Sequence, residues 1–393
     1  MVKVSIIVGN LASTGEGRWI SRTFLIAEAL QRNGYEVEML GYLFGESNVD
    51  LSNQGYPIYT FPGQNYPDFL CSMWRLHKQI SGDIIYALKL KVSSFGTALL
   101  HQRLTKKPLI LDIDDWELGW FGGSAYRYRP SLRTLARDIL KPKGFLRQPD
   151  APPYLQWIES QVKRADAITI HTSFMRDRFG GSYLANGKSL ELFDPALYHP
   201  EVSRKKYGLD PFKVLIFPGA PRPYKGLEDV LEALDLLDWP DLRLVIVGGS
   251  PYDDYDQKLM SRWPKRLIQL PTFDYAQMPA VISAAHVLVV PQRDTPATLA
   301  QFPLKITDGM AMAKPVLASR VGDIPEILGD TGFLVPPSSP SDIAQAIEFI
   351  FGHWEHAMEQ GQRARQRCSE RYSIECMAES LEQVLTSLDV TAR

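Results

Sequence analysis

A chain of 393 residues in which 45 acidic side chains face 43 basic ones has a formal charge of −2, so overall charge gives no reason to expect nucleic acid, though local basic patches stay open. Cys71, Cys368 and Cys376 are too few and too scattered for a disulfide framework or a zinc site, which favours a reducing compartment. No apolar run approaches the ~20 residues of a membrane span, and the length suggests two domains.

The N-terminal MVKVSIIVGN, with a single lysine and a short apolar run, reads as a first strand rather than a secretory signal. VSIIV near residue 4, EVEML at 36, DIIYA at 83, PLILDI at 108 and DAITI at 166 then alternate with helical patterns, as βαβ units of a parallel sheet do. A second series follows: KVLIF at 213, LRLVIVGG at 242, RLIQL at 266, VLVVP at 287 and PVLAS at 315. The prediction is α/β with two doubly wound Rossmann-like domains facing a cleft, 1–200 and 201–372. Pro195, Pro200 and Pro211 break the periodicity between them. A capped amphipathic helix over 373–393 is expected to return toward the first domain.

In such sheets, ligands bind beyond the carboxyl ends of the strands, so the loops there are where chemistry belongs. After the first strand, GNLASTGEGRW offers Gly15 and Gly17, either as a plain turn or as a close backbone approach to an anion at a helix N-terminus. After KVLIF, the loop PGAPRPYKG sets Arg222 and Lys225 before a helix, where cations oppose the dipole unless an anion is present. After VLVVP come QRDTPATLAQF and then PLKITDGMAMAKP, in which Lys305 and Asp308 lie three residues apart. They form either an ordinary ion pair or a phosphate and ribose site. Gly309, Ala311 and Ala313 would allow close packing there.

In the first half, LILDIDDWELGWFGG gathers Asp112, Asp114 and Asp115 at a strand exit, for orienting an acceptor or for loop structure alone. Lys89 and Lys91 follow DIIYA. An insertion at about 120–150 holds seven Lys and Arg and one acid between Arg127 and Arg147, interleaved with aromatic residues. It reads either as a solvated insertion or as a contact with an anionic membrane surface or phosphorylated acceptor.

The stretches RPYKGLEDVLEAL, LRLVIVGG, PLKITDGMAMAKPVLASRVGDIPEIL and DTGFLVPP, in this order and spacing, resemble the nucleotide-sugar domain of retaining family-four glycosyltransferases of GT-B fold. NGKSLELFDP resembles the segment entering the interdomain linker of that family. The resemblance implies that Arg222 and Lys225 act in catalysis by holding the donor diphosphate. It implies donor contacts from Gly15, Gly17, Asp294, Thr295, Lys305, Ile306 and Asp308, with Asp308 on ribose. The family commonly has two glutamates separated by seven residues. Asp308 stands at the second position and Ala300 at the first, with Asp294 and Thr295 as replacements for the missing acid.

The expected activity is transfer of a sugar, with retention, from a UDP- or GDP-sugar to a glycan, lipid or small molecule. No metal or other cofactor is required, and no nucleic acid is involved. Asp114, Asp115 and Lys89 are candidates on the acceptor side. A cytoplasmic place is expected, with peripheral contact at the inner face of a membrane through 127–147. Two rivals are carried. A non-catalytic nucleotide-sugar-binding protein is motivated by Ala300, and a sugar-nucleotide epimerase or hydrolase by the fold.

Overall fold

The computed structural model describes residues 1–14, 21–45, 55–250 and 253–388. Two compact units emerge: Met1–Ala185 together with Met377–Arg393, and Asn186–Cys376.

The first unit is built on a seven-stranded sheet: β1 (Lys3–Val8), β2 (Glu36–Phe44), β3 (Ile58–Gly63), β4 (Ile84–Leu88), β5 (Leu109–Ile113), β6 (Ala167–Ile170) and β7 (Ser182–Tyr183). Their order is β3-β2-β1-β4-β5-β6-β7, and every pairing is parallel. The second unit holds β8 (Lys213–Phe217), β9 (Leu242–Val247), β10 (Leu267–Leu270), β11 (Val287–Val290), β12 (Val316–Ser319) and β13 (Phe333–Val335), ordered β10-β9-β8-β11-β12-β13 and again parallel. The chain reverses direction beside β1 in one sheet and beside β8 in the other. That is the topological switch point at which ligands of doubly wound sheets bind.

The unbroken apolar runs are the reason for this architecture, because strands covered by helices on both faces need apolar side chains at every position. β4 and β5 are buried along their whole length, and so are the last four residues of β8. In the second unit Leu215, Phe217, Leu244 and Ile246 pack with Leu227, Val230, Leu231 and Leu234 of the helix Leu227–Leu237 and with Ile343, Ile347 and Ile350 of the helix Pro340–Gly352.

Three strands lie outside the expected series. β3 contains Pro62 and no buried residue, β7 has two residues, and β13 has three. All three sit at sheet edges, where one-sided pairing removes the need for a long apolar run.

The units divide at Ala185, ahead of the prolines that suggested residue 200. The segment after Ala185 is committed by backbone pairing. Lys188 donates its N–H to Tyr372 O at 2.8 Å, and its carbonyl accepts from Ile374 N–H at 3.0 Å. The last helix, Ile374–Thr386, groups with the first unit from Met377 onward. Asn33 Nδ2 donates to Ala378 O at 2.7 Å, and Tyr35 OH to Glu382 Oε1 at 3.2 Å.

Candidate functional site

In the second unit the loop leaving β8 folds against the loop leaving β11. Arg293 N–H donates to Tyr224 O at 3.0 Å. Gly226 has φ 69°, and a Cβ there would come within 1.9 Å of Pro291 O, so only glycine permits this approach. Lys225, just before it, donates from Nζ to Gln301 Oε1 at 3.0 Å. Arg222 reaches Ser250 Oγ at 3.2 Å and Asp253 Oδ2 at 3.4 Å, in the loop leaving β9. Both cations are half-buried and fixed, not free in solvent.

Lys305 opens the helix Leu304–Ala311 and also comes to this point. Its Nζ lies 5.1 Å from the centre of the Phe217 ring. A Cβ on Gly219 would fall 2.5 Å from Lys305 Cε and 2.9 Å from Nζ, so the bare glycine backbone makes room for the lysine. Among the described residues no hydrogen-bond acceptor meets the Lys305 ammonium. Burial pushes its pKa below the ordinary lysine value, with Asp308 partly opposing. Arg222, Lys225 and Lys305 thus all stand on the loop that follows β8 or at the start of the helix that follows β11. A cavity of about 530 Å³ lies where β9 and β10 end, lined among others by Gly248, Gly249, Gln269, Leu270, Pro271 and Thr272.

Lys305 and Asp308 do not form the ion pair that their spacing allows. Asp308 Oδ1 instead binds Lys188 Nζ. The Lys188 side chain is 1 % exposed, also donates to Tyr275 OH at 3.1 Å, and lies 4.4 Å from the Phe193 ring centre. Burial works against its charge, but Asp308 and Tyr275 outweigh it and raise its pKa. The Asp308 side chain keeps 14 % exposure, and its second oxygen remains a potential acceptor.

Other expected donor residues fare differently. Ile306 is fully buried and its N–H is bonded to Pro303 O at 2.9 Å. Its side chain belongs to the core of the second unit. Thr295 is the N-cap of the helix Pro296–Leu299, its hydroxyl accepting from Thr298 N–H at 3.2 Å. Asp294 is exposed, and Ala300 is wholly buried at the end of that helix. Gly309 packs against Leu288 and Val316, so it serves the sheet. Gly15 and Gly17 lie outside the described residues.

The first unit gathers a second set of charges at its strand exits. Lys89 follows β4 in a left-handed backbone, φ 73°, which is strained for a residue with a side chain. Its N–H is anchored on Asp112 O at 2.9 Å, and its Nζ lies 3.5 Å from both Asp114 Oδ1 and Glu117 Oε1. Burial disfavours the charge on Asp114, yet Lys89, His171 and Arg22 hold its pKa below the usual carboxylate value. Asp115 is pushed up to about 6 by burial, and its Oδ1 is buried with no hydrogen-bond partner among the described residues. Asp112 does not belong to this group. It sits inside β5, fully buried, bound by Arg22 Nε and Nη2 at 2.8 Å each and by Thr169 Oγ1 at 2.6 Å. It lies within β5, whereas Asp114 and Asp115 follow the end of the strand at Ile113.

Sequence reasoning missed Lys188, Tyr275, Gln301, Ser250 and His171. Ser250 follows a strand-exit Gly-Gly and could have been singled out by the logic applied to β8. Lys188 and Asp308 are 120 positions apart, and no local pattern links them. Among the described residues, no three His, Cys, Asp or Glu side chains are placed to hold a metal ion.

Residues 212–353 match the family of glycosyl transferases group 1. Over 177 residues the chain is 29 % identical to a D-rhamnosyltransferase of Pseudomonas aeruginosa, covering 44 % of each chain. It is 28 % identical over 255 residues to alpha-maltose-1-phosphate synthase of Mycolicibacterium smegmatis, covering 57 % of this chain and 64 % of that one. These matches therefore span between about half and two thirds of the relatives' length. Among solved structures, sucrose-phosphate synthase of Thermosynechococcus elongatus superposes with a TM-score of 0.75 at 18 % identity over all of both chains. An Anabaena protein, HepE, in complex with UDP and glucose gives 0.73 at 17 % identity over 98 % of this chain and all of that one. Residues 212–353 are thus a glycosyl transferases group 1 domain, on a chain with the two parallel-sheet domains of the GT-B architecture.

Proposed function

We propose that this protein is a glycosyltransferase that binds a UDP- or GDP-sugar through its second unit and transfers the sugar, with retention, to an acceptor. The observation that carries the reading is the placement of Arg222 and Lys225 in the loop after β8, with Lys305, at the start of the helix after β11, against Phe217 and Gly219 at the end of β8. A half-buried ammonium without an acceptor is costly, and a diphosphate would supply one. The first-turn amides of the helix Leu304–Ala311 add to the same field. The cavity lined by Gln269 and the backbone from Leu270 to Thr272 suits the base, and the second oxygen of Asp308 suits a ribose hydroxyl. HepE, which shares the fold, is known in complex with UDP and glucose.

Chemically, the bond from the anomeric carbon to the diphosphate breaks as the acceptor hydroxyl attacks, and the hydroxyl proton passes to the departing phosphate oxygen. The three cations stabilise the charge growing on the departing phosphate, the dominant contribution where no protein nucleophile takes part. Asp115, pushed up to about 6 by burial and with its buried Oδ1 meeting no hydrogen-bond partner among the described residues, suits an acceptor hydroxyl. This assigns acceptor duty to Asp114, Asp115 and Lys89 as a group.

Calorimetry with UDP and GDP tests the donor site. Lys305→Met and Lys225→Ala should each weaken the favoured diphosphate ten-fold or more, since bonds to charged groups contribute about 1.5 to 3 kcal/mol. Unchanged affinity in both variants would remove the site from this place. Mass spectrometry of products from a panel of UDP- and GDP-sugars tests the chemistry. Binding without turnover would favour the non-catalytic reading that the buried Ala300 motivates, and free sugar alone would favour a hydrolase.

A further inference from the structure

In the basic insertion the helix Leu132–Leu140 is laid on the protein with its apolar side outward. Leu132, Leu135, Ala136, Ile139 and Leu140 follow the spacing of a single helix face. On that face Leu132 is 86 % exposed, Ile139 50 % and Leu140 75 %. The buried residue of the helix is the acid, Asp138, which is 4 % exposed and accepts from Tyr128 OH at 2.7 Å and Arg137 Nε at 3.1 Å. Ordinary surface helices do the reverse. The helix is well formed, since Ser131 caps its start by accepting from Thr134 N–H at 3.2 Å.

A second observation stands next to it. A cavity of about 310 Å³ is lined by Arg137, Asp138, Lys141, Lys143, Gly144, Phe145 and Gln148. Arg127, Arg129 and Arg133 are exposed in the same insertion, so the segment from 127 to 147 has a net charge of +6. We infer that the helix Leu132–Leu140 docks on an anionic phospholipid bilayer, its leucine face entering the acyl boundary and the basic cavity receiving a lipid phosphate.

Charge decides among occupants. A second copy of the chain would set one +6 segment against another, whereas a bilayer with acidic lipids is complementary to both the cations and the leucines. The long basic side chains flanking the helix can keep their heads at the phosphate level while their stems follow the apolar face. The arrangement is independent of the donor site and does not require that the proposed sugar transfer be correct.

The test is sedimentation of the full chain with phosphatidylcholine vesicles, with and without phosphatidylglycerol. The wild type should pellet with the acidic vesicles alone and less at high salt. Leu132→Ser, Ile139→Ser and Leu140→Ser combined should weaken that binding at least ten-fold, and Arg133→Ser, Lys141→Ser and Lys143→Ser combined should do the same. All six side chains are exposed, so melting and UDP or GDP affinity should match wild type, which keeps this result separate from the donor site. Wild type that stays in the supernatant, or variants that pellet as well as wild type, would overturn the inference. So would a dimer, seen by size-exclusion chromatography, that the leucine substitutions dissociate while vesicles bind neither form.

Discussion

Replacing Asp308 by alanine should lower the stability of the second unit by about 3 kcal/mol. The Lys188 side chain is 1 % exposed, and its charge is held by Asp308 and by the Tyr275 hydroxyl at 3.1 Å. Removing one partner of a buried pair typically costs about 3 to 5 kcal/mol, because the remaining charge stays desolvated. The lower end applies here, since Asp308 keeps 14 % exposure. For a unit of this size each kcal/mol shifts Tm by about 2 to 4 °C, so a fall of about 6 to 12 °C is expected by calorimetry. Lys188→Met combined with Asp308→Leu removes both charges together and should recover most of the loss, as apolar replacements of buried pairs often do. The double-mutant cycle then isolates the pair. If Asp308→Ala melts within ~2 °C of wild type, the pair is not a structural element and Asp308 is free for ligand alone.

Asp112→Asn removes the buried carboxylate that binds the Arg22 guanidinium through Nε and Nη2 and should lower the stability of the first unit by about 3 to 5 kcal/mol, read from the guanidinium chloride midpoint. An unchanged midpoint would show that Thr169 and the surrounding backbone suffice. Lys314 is buried with its Nζ on Ser283 O and Ala285 O, and burial lowers its pKa to about 7 from an ordinary 10.5. Between those values the unfolded chain binds the extra proton. Stability therefore rises as pH climbs from about 7 toward 10.5, by up to a few kcal/mol, and the cost of charging is fully present below 7. Lys314→Met should flatten this rise in urea titrations at neutral and alkaline pH, and an identical slope in both proteins would exclude the lysine as its source.

What the sequence determined was the repeating unit. Apolar runs without alternation demand strands covered on both faces, and helical segments between them demand parallel pairing. Hence β1, β2, β4, β5, β6 and β8 to β12 were legible. A lysine or arginine at the start of a helix stands out in one dimension because it opposes a local dipole, so Arg222, Lys225 and Lys305 were visible too. The edge strands β3, β7 and β13 were not, because one-sided pairing leaves a weak pattern.

Pairing over distance was decided only in three dimensions. Nothing within a few residues of Asp308 shows that Lys188 takes one of its oxygens. The spacing of Lys305 and Asp308 allowed an ion pair that the fold declines, since a buried ammonium binds the carboxylate more strongly than a half-exposed neighbour can. Asp112, Asp114 and Asp115 look equivalent in sequence, but only the first lies within β5, where it is buried with Arg22, and the other two follow the end of the strand. The helix Leu132–Leu140 has the apolar spacing of a core helix. Only the burial of Asp138 and the exposure of Leu132, Ile139 and Leu140 show that it faces outward, because periodicity gives a helix two sides without saying which one meets water.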